Sequence, residues 1–195
     1  MPGALDPQHL RLMDAALAWA FTGLGTTAPN PSVGCVIARE GHVLAAAVTA
    51  PGGRPHAEAQ ALETAGEAAR GADVYVTLEP CSHHGETPPC AAALVRAGVA
   101  RVFVACTDPD TRVSGRGIAM LREAGVEVIE GVRQSEAEAM NAGFFTRVRT
   151  GLPLVLQDRR AGLFDADLVP GPEESIDAAL QRLGREGMTR VRIPK

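Results

Sequence analysis

Thr77-Leu78-Glu79-Pro80-Cys81-Ser82-His83-His84-Gly85-Glu86-Thr87-Pro88-Pro89-Cys90 runs out of an apolar strand and into the prolines of a first helical turn. It places both of its cysteines where a helix begins, and helix N-termini lower thiol pKa values and favour the thiolate. Upstream stands His56-Ala57-Glu58, directly after Pro55. One imidazole and two thiolates give zinc three protein ligands, one short of a closed structural tetrahedron, so a fourth position stays open for water. Glu58, two residues from the histidine, is the carboxylate that can take a proton from that water and pass it to a departing nitrogen. Residues i and i+2 do not share a face inside a helix, so His56 and Glu58 converge only if they occupy the first turn. Taken singly, a His-x-Glu is common and two cysteines nine apart are ordinarily buried apolar residues. Their order, with Pro80 before the first cysteine, points instead to hydrolytic deamination. The general deaminase signature has the cysteines as C-x-x-C; eight residues separate them here.

That longer loop carries a resemblance. Together with Pro29-Asn30-Pro31-Ser32-Val33-Gly34, Asp108-Pro109, Val113-Ser114-Gly115-Arg116-Gly117 and Arg149-Thr150-Gly151-Leu152-Pro153, it resembles the deaminase domain of the bifunctional deaminase–reductase family of riboflavin biosynthesis. The likeness runs over residues 10 to 155. It implies an α/β fold of the cytidine deaminase type, three layers α/β/α around a mixed sheet of about five strands. It also implies a ribosylated diaminopyrimidinone 5'-phosphate as substrate, whose ring amino group is replaced by oxygen with release of ammonia. His56, Cys81 and Cys90 would hold Zn2+, Glu58 would shuttle protons, and Asn30, His83, Asp108 and Arg116 would contact the substrate. His84 is read as a loop residue, and His9 and His42 as surface residues.

Three positions depart from the family: Thr49 stands where relatives carry a histidine, Glu86 where they carry Lys or Arg, and Asp110-Thr111 where they carry Asn-Pro. Each change removes a donor, and two add negative charge. Arg54, Arg112 and Arg116 lie on the same loops, and the N–H groups of 114–117 at a helix start could receive an anion. The expectation is a deaminase that binds the phosphorylated intermediate through relocated arginines or prefers a less anionic relative. A different pyrimidine or purine substrate and a non-catalytic paralogue are the alternatives.

Composition narrows the partners. The 195 residues carry 19 basic against 23 acidic side chains, a net charge of −4, and no basic block, which argues against a nucleic-acid substrate. Four cysteines do not make a disulfide framework in a chain of this size, and thiolate ligands need a reducing compartment. Cys35 and Cys106 sit in apolar runs and are read as core. No signal pattern opens the chain, and no apolar stretch approaches the ~20 residues of a membrane span. The expected setting is cytoplasmic, with a small-molecule substrate and further copies of the chain as partners, no nucleic acid and no membrane.

Periodicity predicts a helix over 9–23 with Leu10, Met13, Leu17 and Phe21 on one face, then a hairpin of 32–38 and 42–48 turning at Glu40-Gly41. Helices at 56–69, 89–97, 116–124 and 135–148 alternate with strands at 73–78, 101–106 and 126–130. Residues 1–150 are thus expected to form the zinc-dependent deaminase domain. The family continues with a reductase domain, and 151–195 reads as a vestigial piece of it: a strand at 154–156, a loop over 158–171, a helix at 175–187 and a strand at 190–193. One helix and such strands cannot enclose a dinucleotide, and no Gly-rich phosphate fingerprint is present, so no reductase activity and no further cofactor is expected. Leu168, Ile176, Leu180 and Leu183 form an apolar stripe expected to pack on the deaminase body or on a neighbouring subunit.

Overall fold

Two strands of opposite sense set the sheet. β1 (Gly34–Arg39) pairs antiparallel with β2 (His42–Val48) and also with β3 (Asp73–Val76), after which β4 (Arg101–Val104) and β5 (Glu127–Glu130) add in parallel, giving the order β2-β1-β3-β4-β5. The computed structural model describes residues 5–83, 88–110 and 114–194. β1 is buried along five consecutive residues, as a strand covered on both faces must be. One face carries α1 (Pro7–Thr22) with α5 (Gln134–Met140). The other carries α2 (Ala57–Ala65), α3 (Cys90–Ala97) and α4 (Arg116–Glu123) in a row. The expected three-layer fold with a five-stranded mixed sheet is what forms.

Several expectations need correction. His9 is only partly exposed: its ring stacks on Phe103 at 4.4 Å and its Nδ1 lies 2.7 Å from the Tyr75 hydroxyl. Tyr75 and Phe103 are register partners on β3 and β4 with rings 4.7 Å apart, so α1 adds its imidazole to an aromatic stack on the sheet. His42 is exposed as expected. Phe21 is 49% exposed, because the buried face of α1 centres on Met13, Ala16 and Ala20 and leaves Phe21 at its edge. The helix expected over 56–69 ends at Ala65 and gives way to a 3-10 turn over Gly66–Ala69, Gly66 standing at φ 53°.

The single helix expected over 135–148 is two, α5 and α6 (Ala142–Thr150), broken at Asn141. Asn141 is 3% exposed. Its Oδ1 accepts from the Ser32 N–H and its Nδ2 donates to the Ser32 carbonyl, both at 3.1 Å, while the Ser32 hydroxyl donates to the Ala20 carbonyl at 2.6 Å. A backbone that has no strand partner at this point is therefore satisfied by an amide from more than a hundred residues away.

Beyond residue 150 the chain makes a second, three-stranded parallel sheet in the order β6-β8-β7 from β6 (Leu154–Asp158), β7 (Ala166–Asp167) and β8 (Arg190–Pro194), with α7 (Ile176–Arg185) between the last two in sequence. β7 and a 3-10 turn at Ala161–Leu163 fall where a plain loop was expected. Asp165 organises this segment, its Oδ2 accepting from the Thr189 N–H and hydroxyl and the Arg190 N–H. Ala179 and Leu183 are buried, but Ile176 is 61% exposed and leaves the expected stripe. The tail lies directly on α6: a Cβ on Gly143 would stand 2.6 Å from the Thr189 carbonyl oxygen, and Arg147 Nε donates to the Gly184 carbonyl at 3.0 Å. Among the described residues no helix is long and apolar enough to cross a membrane.

Asn141→Ala would strand the buried Ser32 N–H and carbonyl together, and leaving a buried polar group unpaired costs about 1–3 kcal/mol. A loss of about 2 kcal/mol in denaturant unfolding is expected, with an unchanged midpoint showing that the bracket contributes nothing.

A candidate metal centre between two helix starts

α2 and α3 begin side by side, and the residues at their first turns meet. His56 is the N-cap of α2 with extended backbone, φ −67° and ψ 156°, and Glu58 lies in the first turn behind it. Cys90 opens α3 after Pro89, and Cys81 sits in the loop that leaves β3 through Pro80. The Cys90 N–H donates to Cys81 Sγ at 3.3 Å and the Ala91 N–H to the Cys81 carbonyl at 3.1 Å, so the start of α3 is folded onto the first cysteine. His56 Nδ1 lies 3.7 Å from Cys81 Sγ and 3.4 Å from Cys90 Sγ. The one nitrogen and two sulfurs fall within 4.8 Å of one another.

The electrostatics of this cluster follow from its packing. The hydrogen bond with Cys90, opposed by burial and aided by the imidazole, pushes the Cys81 thiol down to about 4. The same contact, with burial, pushes Cys90 up. The hydrogen bond to Cys81 raises His56. Glu58, 3% exposed, is pushed up to about 7, first by burial and further by the negative Cys81. One nitrogen and two thiolate sulfurs form a soft-to-borderline donor set that suits zinc and not the oxygen-seeking magnesium or calcium.

A cavity of about 140 Å3 opens on this cluster. Of the residues expected to touch a substrate, Asn30, His83 and Asp108 line it together with His56, Glu58 and Cys81. Cys90 is buried behind the wall. Arg116 does not join them: it is exposed at the first position of α4, outside the lining. Thr49 lines the cavity with its hydroxyl turned to the backbone, accepting from the Val33 N–H at 3.0 Å. His84, Glu86, Thr111 and Arg112 lie outside the described residues. Asp108 accepts from the Asp110 N–H at 2.8 Å, and burial raises its carboxyl above the ordinary range.

Glu79 escaped sequence reasoning. It is 7% exposed; Oε2 accepts from the N–H groups of Asp108 at 3.3 Å and Gly115 at 2.9 Å, and Oε1 from Gly117 at 2.9 Å and Ile118 at 3.5 Å. The helix start over 114–117, expected to receive a substrate anion, is filled by the protein's own carboxylate. A glutamate before Pro-Cys carries no periodic or spacing signal that would announce such partners. Phe144, from α6, is a second wall residue that sequence reasoning missed.

A mixed sheet with a His-Cys-Cys cluster gathered at the starts of α2 and α3 and a buried carboxylate beside it places the chain among the zinc-binding deaminase domains of the α/β class. The family model described as "Cytidine and deoxycytidylate deaminase zinc-binding region" matches residues 6–106, and the chain belongs to that family. It is 52% identical over 143 residues to the riboflavin biosynthesis protein RibD of Escherichia coli (strain K12), a match covering 73% of this chain and 39% of that one. It thus spans about two fifths of the length of that relative. Against the diaminohydroxyphosphoribosylamino-pyrimidine deaminase of Buchnera aphidicola subsp. Schizaphis graminum it is 43% identical over 141 residues, covering 72% of this chain and 96% of the relative. The Acinetobacter baumannii RibD structure superposes with a TM-score of 0.74 at 44% identity, over 83% of this chain and 44% of that one. A Thermotoga maritima deaminase/reductase structure, 24% identical, shares the fold over 97% of this chain and 81% of its own with a TM-score of 0.86.

Elemental analysis should find one zinc per chain, and Cys81→Ser or Cys90→Ser should each remove it. In metal-stripped protein at about pH 6, Cys81 should be the residue that iodoacetamide labels: a thiol held down at about 4 is ionised there, whereas burial keeps Cys106, pushed up to about 12, and Cys35 protonated. Even labelling of all four cysteines would show that the described thiolate is not formed.

Proposed function

We propose that this chain is a zinc-dependent aminohydrolase that deaminates the diaminohydroxyphosphoribosylaminopyrimidine of riboflavin biosynthesis, replacing the ring amino group with oxygen and releasing ammonia. The observation that carries the substrate is the match across 96% of a relative named for that deamination alone. The chemistry is supported by Glu58 and the His-Cys-Cys cluster opening on one cavity.

In this reading His56, Cys81 and Cys90 would hold the metal. A zinc bound there would supply Lewis acidity near neutral pH. Glu58 moves the protons: its carboxylate takes one from the attacking water and returns it to the leaving nitrogen, so that water and the amine become the carbonyl product and ammonia. A carboxyl held near neutrality by burial can do both, since neither transfer is strongly uphill. Asn30, His83 and Asp108 supply hydrogen-bonding groups to the pyrimidine, and Phe144 with Pro31 gives the cavity an apolar wall.

Residues 1–150 carry this chemistry in the proposal, and the tail serves as a packed support for α6. Thiolate ligands accord with a reducing cytoplasmic setting. Self-association is supported by exposed apolar side chains such as Trp19 and Phe21 on α1, and sedimentation would measure it.

Purified zinc-loaded protein should release ammonia from the diaminopyrimidinone and not from cytidine; the reverse preference would move the substrate elsewhere. Glu58→Gln should keep its zinc and lose about 10²- to 10⁴-fold in turnover, the usual contribution of a positioned general acid–base group. Full activity in that variant would remove Glu58 from the mechanism.

A further inference from the structure

The cavity is graded from a buried floor to a charged mouth. Glu58 lies at the floor, 3% exposed, whereas Arg54, also a wall residue, is exposed to solvent. Among the described residues of the lining, Arg54 is the one Lys or Arg side chain. Its backbone is fixed. The Gly53 N–H donates to the Ala50 carbonyl at 2.8 Å, the Ala50 N–H to the Pro55 carbonyl at 3.1 Å and the Gly52 N–H to the Thr26 carbonyl at 2.9 Å. Gly53, at φ 90°, packs so closely on the Asn30 side chain that a Cβ there would collide with it. The turn bearing Arg54 and the loop bearing Asn30 therefore form one wall.

The other cationic features expected from the sequence do not reach this space among the described residues. The N–H groups at the start of α4 are occupied by Glu79, and Arg116 is outside the lining. We propose that Arg54 is a specificity-determining residue that recognises the phosphate of a ribosyl phosphate at the mouth of the cavity, while the base to be deaminated lies on the floor beside Glu58. This inference rests on the aminohydrolase reading of the site. A planar guanidinium offers paired N–H donors that match two phosphate oxygens, and its solvent-exposed position lets the phosphate remain partly hydrated as it binds.

The test separates recognition from turnover. Zinc-loaded native protein, Arg54→Ala and Arg54→Lys are titrated calorimetrically with ribose 5-phosphate and with ribose, and each is assayed for ammonia release from the phosphorylated and dephosphorylated diaminopyrimidinone. Arg54→Ala should weaken ribose 5-phosphate binding by about 10- to 100-fold, the range for a lost hydrogen bond to a charged group, with Arg54→Lys between the two. Ribose binding should not distinguish the variants, and KM should rise for the phosphorylated substrate alone. Equal binding of ribose 5-phosphate by native and Arg54→Ala protein, including no binding by either, would overturn the proposal. Arg54-dependent binding without ammonia release would sustain the phosphate site and sink the deaminase reading alone.

Discussion

A single buried carboxylate ties the two halves of the site into one rigid body. Glu79 leaves β3 just ahead of Cys81 and accepts four backbone N–H groups from the segment that carries Asp108 and opens α4. The donors on Gly117 and Ile118 are buried, and an unpaired buried N–H is among the costlier defects a fold can carry. The metal loop and the Asp108 loop are thus fixed relative to each other before any ligand arrives. Preorganisation of this kind is what a site needs if donors and acceptors are to meet a reacting group without being reordered.

The chemistry of the centre was legible because it restricts residue types. A three-ligand metal site with a neighbouring carboxylate restricts residue types, and first-turn rules placed His56, Glu58 and Cys90 beside one another, whereas Cys81, expected at a helix start, lies in the loop that leaves β3. The alternating strands and helices were legible for a similar reason, since period and punctuation are local. What escaped depends on pairing across long separations. Asn141 breaks a helix because Ser32 needs both of its amide bonds, and nothing near Asn141 in sequence states that need. His9 is half-buried on an aromatic stack because Tyr75 and Phe103 are register partners. The helix start over 114–117 was read correctly as an anion-seeking group, but its occupant came from thirty-odd residues upstream.

The tail illustrates a gentler failure. Its strands and helix were placed from local pattern, yet the short β7 and the outward turn of Ile176 follow from the order in which the strands pair. α6 links the two parts: Phe144 faces the cavity, and the neighbouring Gly143 lies against the Thr189 carbonyl of the tail. The second sheet thus packs one residue away from a wall of the cavity, although no described tail residue lines it.

The placement of β8 between β6 and β7 also sets a timetable. Neither outer strand has a partner in its own sheet until Arg190–Pro194 has been synthesised, whereas every strand of the larger sheet is complete by Glu130. On a ribosome adding about 5–20 residues per second, the larger sheet can assemble while β6 and β7 still wait as unpaired edges. For that interval the growing chain presents Leu154, Val155 and Leu156 without their β8 partners, so the smaller sheet closes only when the last strand arrives.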